Sequence, residues 1–196
     1  MTSGWGYMVK NCFSNANLLN VFLNQAPNKQ APHNELFCKE RYIFECKALD
    51  DIQNMPKLKS FSFVKRDNSF ENYLSFVHNV SDRIALTRFR LSNHHLMIEK
   101  GRHQNMDICD RLCPFCPDLV ENEFHFLIKC PTYRYQRIRL LDEINKVTIG
   151  FYYPPDKNFL FWFLMKNPTI SNLTARFIRE SLELRTFLLE HFRYNG

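Results

Sequence analysis

Apolar side chains recur at helical spacing along much of the chain. In residues 34–55 they are seven, four and four positions apart, at Phe37, Phe44, Ala48 and Ile52. Residues 68–78 carry an i, i+3, i+4, i+7 stripe that begins at Phe70, and Asn68 with Glu71 offers a capping box at its start. Both patterns predict amphipathic helices.

Four further segments show a helical pattern, a helix-starting residue, or both. They are residues 82–93, 131–147, 157–166 and 170–193. Residues 96–112 are expected to be irregular, with a brief extended piece at 96–98. Residues 1–33 are rich in Asn, Gln and Pro and predict a loosely attached arm with one helix at 18–23. The predicted fold class is therefore mainly α.

The same patterns divide the chain into three parts. We expect an N-terminal arm and helix at 1–57, a helical linker with a metal-binding knuckle at 58–147, and a C-terminal helical appendage at 148–196. The knuckle itself occupies residues 109–131. The chain has 196 residues, among them 19 Phe and only 5 Gly. This composition supports a sizeable core and disfavours a many-stranded β fold or glycine-rich phosphate loops.

Charge and hydropathy limit the compartments and partners that we expect for the chain. The net charge is +6, and the longest apolar run, residues 159–165, is far short of the ~20 residues that span a bilayer. No signal peptide is visible at the N-terminus, so we expect an intracellular protein, nuclear or cytoplasmic, with no membrane partner. The 7 cysteines form an odd set, which argues against a disulfide scaffold.

Four residues form a metal-binding pattern, C-x2-C-x8-H-x4-C. The ligands are Cys113, Cys116, His125 and Cys130. Zn²⁺ prefers four tetrahedral sulfur or nitrogen ligands, and a two-residue gap lets one turn aim two thiolates at a single point. We therefore predict one structural Zn²⁺ as cofactor, with no coordination position open for water. Cys109 is the rival ligand, although its spacing makes a less regular turn.

The second half of the pattern needs a break in the chain. Residues 121–127 predict a short helix, and two positions five apart on an α-helix point in different directions, about 140° apart. Pro131 disfavours the α conformation at Cys130 and is suited to the first position of a new helix. The first helix is thus expected to end so that Cys130 swings back towards His125.

A basic face is predicted on the helix at 82–93, which Ser81 or Asp82 would cap. Its polar face carries Arg83, Thr87, Arg90 and His94, and its apolar face carries Ile84, Ala85, Phe89 and Leu91. Arg88 falls among the apolar residues, where it either snorkels or pairs with a carboxylate such as Glu99.

A second basic cluster follows the metal pattern. It comprises Lys129, Arg134, Arg137 and Arg139, interleaved with Tyr133 and Tyr135. Arginines beside aromatic rings suit phosphate contacts and base stacking. We predict nucleic-acid contacts by Arg83, Arg90, His94, Arg134 and Arg137. The alternative is that Arg83 and Arg90 are buried partners of acidic residues, and that Arg139 pairs with Glu143 on a solvated helix face.

Together these residues resemble a known family. The segment RIALTRFRLSNH at 83–94, then Glu99, Gly101 and Arg102, then the cysteine–histidine pattern with Glu121, Glu123 and CPTY at 130–133, is similar to the C-terminal region of non-LTR (LINE-type) retrotransposon reverse transcriptases. The resemblance covers residues 58–142. It implies the same four zinc ligands, and a linker and knuckle that hold template RNA or target DNA during target-primed reverse transcription.

The chain also departs from that family. It contains no aromatic-x-Asp-Asp motif of a polymerase palm, and its one Asp-Asp pair, Asp50-Asp51, lies in a predicted helix. Hydrolase, nucleotide-loop, zinc-protease and dinucleotide patterns are absent as well. We expect a non-enzymatic nucleic-acid-binding module without a small-molecule substrate. The alternatives are a helical protein-interaction module that docks on a polymerase body, or a degenerate element without independent function.

Overall fold

The computed structural model describes residues 11, 14, 30–148 and 150–193. The chain divides into two compact units, Met1–Asn54 and Met55–Gly196. In the first unit, helix α1 spans Gln30–Asn54, which confirms the helix predicted over 34–55. The arm helix predicted at 18–23 lies outside the described residues.

The second unit is built from short helices around one small hairpin. Its helices are α2 (Lys59–Val64), α3 (Tyr73–Phe76), α4 (Val80–Arg90), α5 (Met97–His103), α6 (Arg134–Val147), α7 (Lys157–Lys166) and α8 (Ser171–Arg193). Single 3₁₀ turns occur at Pro56–Leu58, Ile108–Asp110 and Pro131–Tyr133, and a π turn at His125–Lys129. Strands β1 (Leu112–Cys113) and β2 (Cys116–Val120) pair antiparallel and form the sheet of the described residues. The mainly α prediction is confirmed.

Two local predictions are wrong, both because an acidic side chain has a distant partner. The predicted capping residue Glu71 forms ion pairs with Lys65 at 2.9 Å and with Arg90 at 2.6 Å, and only Tyr73–Phe76 of the segment 68–78 is helical. Residues Met97–His103 are helical and not irregular. The start of α5 is capped by Glu121, whose carboxylate accepts from the Met97 N–H at 2.7 Å.

The C-terminal helices share the core of the second unit. Leu160 and Leu164 of α7 and Phe177 and Ile178 of α8 are 3% exposed or less, in one cluster with Phe89 of α4. Burying such side chains stabilises by about 1.5–3 kcal/mol each. The segment predicted as an appendage, 148–196, therefore lies in the same compact unit as the linker and knuckle. No helix among the described residues is long and apolar enough to cross a membrane.

Candidate metal centre

The first two predicted ligands stand on the hairpin. Cys113 of β1 lies opposite Cys116 of β2, and Leu112 lies opposite Val120, with an irregular register between the two pairs. Pro114 and Phe115 form the connecting turn. Because proline fixes its φ near −65°, this turn loses little entropy on folding. The hairpin brings both cysteines to one end of the sheet.

The other two ligands stand on the π turn. Its start is fixed by Asn122, whose side-chain oxygen accepts from the His125 N–H at 2.7 Å. The Cys130 N–H then donates to the His125 carbonyl at 2.7 Å, an i to i+5 bond that widens the helix. Cys130 leaves the turn with φ −59° and ψ 122°, and Pro131 begins the next 3₁₀ turn. The predicted break before Pro131 is confirmed, and the wider turn is how the chain brings Cys130 back to His125.

The four side chains meet at one point. Ligand atoms of Cys113, Cys116, His125 and Cys130 all lie within 4.8 Å of one another. The Sγ atoms of Cys116 and Cys130 are 3.8 Å apart, and zinc–sulfur bonds of about 2.3 Å at tetrahedral angles require a separation of about 3.8 Å. The cluster could hold a metal ion. The rival Cys109 is exposed and is not part of the cluster.

The surroundings of these side chains also fit a metal. Cys113, His125 and Cys130 are 3% exposed or less, and the buried Nε2 of His125 has no hydrogen-bond partner, so a metal ion would satisfy a polar atom that the protein itself does not. A hydrogen bond with Cys113 lowers the pKa of the Cys130 thiol, and the same bond raises the pKa of Cys113. Burial raises the pKa of the Cys116 thiol as well, and a bound cation would favour the thiolate forms that bind metals.

Arg137 holds the π turn from behind. Its guanidinium donates to the carbonyls of Leu127 at 2.8 Å, Cys130 at 2.9 Å and Phe126 at 3.2 Å. These carbonyls lie at the end of a helical segment, where they have no partner further along the helix. Nε and Nη2 of Arg137 thus hold the loop that carries Cys130, and the predicted contact of Arg137 with nucleic acid stays a prediction.

Glu121 ties the hairpin to the longest helix of this unit. Its carboxylate, 1% exposed, accepts two hydrogen bonds of 2.7 Å from Arg185 of α8. Burial by itself lowers the pKa of Arg185, but the bonds to Glu121 raise it above its ordinary value. Sequence reasoning missed Arg185 as part of the site. Only the helical spacing of Arg185 could have indicated its role. Arg185 lies on the same face of α8 as Ile178 and Ser181, both of which are fully buried.

Glu123 organises a second buried polar cluster. It accepts from Ser92 at 2.6 Å and Ser60 at 2.9 Å, and its carboxylate lies 3.0 Å from Nε2 of His94. Burial by itself raises the pKa of Glu123, but the bonds from His94 and Ser92 lower it below the ordinary value. The His94 side chain is 1% exposed, so the prediction that it contacts nucleic acid is corrected.

The basic face predicted on α4 turns largely inward. Arg90 is 2% exposed. It pairs with Glu71 and donates to the carbonyl of Met165, so the prediction that Arg90 reaches phosphate is wrong and the buried-partner alternative holds. Arg83 donates to the Val77 carbonyl at 3.1 Å and is half-buried. Arg88 is exposed, in agreement with the snorkelling alternative, and Glu99 pairs with Arg102.

Arg134 is one of the five residues predicted to contact nucleic acid, and its side chain remains available for that contact. It is exposed, and no ion pair or side-chain hydrogen bond is found for it among the described residues. Arg139 pairs with Glu180, not with Glu143, which pairs with Arg176.

A scan of protein-family models and searches of curated proteins and of solved structures found no match to this chain.

Proposed function

We propose that the chain is a non-catalytic, zinc-stabilised nucleic-acid-binding module. Three thiolates and one imidazole form the ligand set of a structural Zn²⁺ site, and all four coordination positions are filled by protein. Such a site has no position for a reacting water, so the metal would hold structure. The closed Cys₃His set supports zinc over the harder cations, which prefer oxygen ligands.

A short exposed segment next to the metal ligands supports nucleic-acid binding. Lys129 precedes Cys130, and Arg134 and Tyr135 follow it by four and five residues. All three are exposed, Tyr135 at 74%. The Lys129 ammonium lies 5.1 Å from the centre of the Phe124 ring. Exposed cations and an exposed aromatic ring in one short segment suit a single strand, with phosphates on the cations and a base on the ring.

Exposed Arg134 carries this proposal, because most other arginines of this unit are engaged in ion pairs or carbonyl contacts. The resemblance to the C-terminal region of non-LTR reverse transcriptases supports the same conclusion. It suggests template RNA or target DNA as the partner and a polymerase body as a neighbour. The setting would be intracellular, in the nucleus or the cytoplasm.

A salt titration tests the proposal. Zinc-loaded protein is titrated with single-stranded RNA, single-stranded DNA and duplex DNA at several salt concentrations. Replacing Arg134 with alanine should weaken binding to all sequences alike and lower the log–log salt slope by about 1. Arg139→Ala is the matched control on the same helix, because Arg139 is already paired with Glu180. Equal slopes for the wild type and Arg134→Ala would contradict the proposal.

The second candidate is a protein-interaction module. Apolar side chains around α3 and the start of α4 are exposed, with Phe70 at 64%, Val80 at 57% and Phe76 at 47%. An interface on these residues would be far less sensitive to salt than phosphate binding. A degenerate element would instead fold poorly in isolation, which a cooperative thermal transition of the zinc-loaded chain would contradict.

A further inference from the structure

A buried hydroxyl close to the metal cluster has no hydrogen-bond partner. Tyr133 follows the predicted ligand Cys130 by three residues, and its side chain is fully buried. The hydroxyl oxygen is buried with the ring and makes no hydrogen bond to any described residue. A buried polar group without a partner costs free energy. Because a molecule in solution cannot reach this atom, its partner has to come from inside the protein.

The ring of Tyr133 packs against both segments that carry the metal-binding side chains. Its centroid lies 4.6 Å from that of Phe126 on the π turn and 6.5 Å from that of Phe115 in the turn of the hairpin. The Tyr133 N–H also donates to the Cys130 carbonyl at 3.4 Å. The ring is therefore not available to stack on a base, and its position is fixed relative to the cluster.

The charges that act on this hydroxyl belong to the cluster and to the ion pair beside it. Burial raises the pKa of Tyr133, and the charge of Glu121 raises it further. The thiols of Cys130 and Cys113 act in the same direction, and Arg185 opposes them. The hydroxyl therefore stays protonated and remains a donor at neutral pH. Both oxygens of Glu121 already accept from Arg185, whereas the two sulfur atoms become better acceptors once they are thiolates.

We propose that Tyr133 is a positioning residue of the metal site, whose hydroxyl donates a hydrogen bond to the thiolate pair of Cys113 and Cys130 when zinc is bound. The proposal rests on the zinc site of the proposed function and not on nucleic-acid binding. Zn²⁺ with three thiolates and a neutral imidazole carries a net negative charge. A buried anion is stabilised by hydrogen bonds from the protein, and donors of this kind hold metal ligands in orientation and support affinity.

The test is Tyr133→Phe in the full chain, which removes the hydroxyl and keeps the buried ring. Zinc affinity, measured by competition with a metal indicator, should fall about tenfold. In the cobalt-loaded protein the sulfur-to-metal charge-transfer band should move to longer wavelength, because a thiolate without this hydrogen bond gives up electron density more easily. Tyr73→Phe is the matched control, since the Tyr73 hydroxyl shares a hydrogen bond with Thr87 at 3.0 Å, outside the cluster. It should change neither the affinity nor the band.

The outcomes distinguish this proposal from the proposed function. If Tyr133→Phe only loses stability, with zinc affinity and the cobalt band unchanged, the role of Tyr133 is overturned and the zinc site stands. If the wild-type chain binds neither zinc nor cobalt, the zinc site itself fails. Cadmium-loaded wild type tests the same bond without a substitution. With a spin-active cadmium isotope, NMR should show a coupling between the metal and the Tyr133 hydroxyl proton through the shared sulfur, and its absence would overturn the proposal even if Tyr133→Phe does not fold.

Discussion

The two halves of the metal centre differ in what holds them. The hairpin half is peripheral, with Pro117 and Asp118 exposed and Leu119 47% exposed. The turn half is part of the core, where Phe126 and Leu127 are fully buried. Phe126 also lies against Tyr133, with ring centroids 4.6 Å apart. Each half supplies two ligands, so a bound ion would join a peripheral hairpin to a helical core.

This difference indicates what a bound metal would contribute to folding. A two-stranded hairpin is marginal in water by itself, and β1 has only two residues. The turn half has its own support from apolar burial and from Arg137. We therefore expect the stability of the hairpin to depend on a bound metal, and the stability of the π turn to depend mainly on packing in the core. The predictions below test this difference, from the largest expected effect to the smallest.

The largest effect should follow removal of the metal. Metal binding contributes on the order of 10 kcal/mol to folding in small zinc modules, and here that contribution should fall mainly on the hairpin. After chelation at neutral pH, amides of residues 112–120 should exchange with solvent much faster, while amides near Ile178 in α8 stay protected. Hydrogen exchange with and without chelator measures both. Equal loss of protection in the hairpin and in α8 would show that the two halves fold as one unit.

The next effect concerns the tether between the hairpin and α8. Arg185→Ala leaves the Glu121 carboxylate buried without its cation, and breaking a buried pair in this way costs about 3–5 kcal/mol. Arg139→Ala is the matched control, because its pair with Glu180 is partly exposed and such pairs contribute about 0–1 kcal/mol. Urea unfolding of both variants measures the difference. A similar small loss in both would mean that Glu121 finds another partner.

A smaller effect is expected on the turn half. Arg137→Ala removes three hydrogen bonds to carbonyls around Cys130 and should lower the free energy of unfolding by about 2–3 kcal/mol. Because the same carbonyls position a ligand, zinc affinity should fall about 10–100-fold, as for other residues that support metal ligands. Competition with a metal indicator measures the affinity. Arg134→Ala, three residues earlier and exposed, should change neither quantity.

The cluster that could hold a metal was predicted from the sequence because the chemistry of its residues is local and specific. Few residue types bind zinc, and the C-x2-C spacing fits one turn. Pro131 indicates that the helix ends at Cys130, because proline disfavours the α conformation in the residue before it. The orientation of α4 could not be predicted in the same way. A helical wheel assigns charged residues to solvent, but Arg90 reaches Glu71 and the Met165 carbonyl, 19 and 75 positions away.

The residues that hold the hairpin in place could not be predicted from the sequence for the same reason. Whether Met97 begins a helix depends on the Glu121 carboxylate, 24 positions later, and whether Glu121 is tolerated inside depends on Arg185, 64 positions later. Local patterns located α6, α7 and α8 closely, since their apolar faces are continuous. The patterns failed where a buried charge has its partner in a distant part of the chain, because the pairing then exists only once the fold has formed.

The smallest expected effect concerns the base of the hairpin. A Cβ at Gly101 would lie 2.5 Å from Cγ of Arg111, closer than two carbons can approach. Arg111 cannot simply move aside, because its guanidinium donates to the Ile98 carbonyl at 2.9 Å and to the Met106 carbonyl at 2.8 Å. Gly101→Ala should therefore lower the free energy of unfolding by about 1–2 kcal/mol, within the usual cost of overpacking. Since Arg111 immediately precedes β1, the loss should appear as faster exchange at residues 112–120 with α6 unchanged. Alanine in place of an ordinary helical glycine is expected to raise stability. A gain in stability here would therefore show that the contact between Gly101 and Arg111 is not rigid.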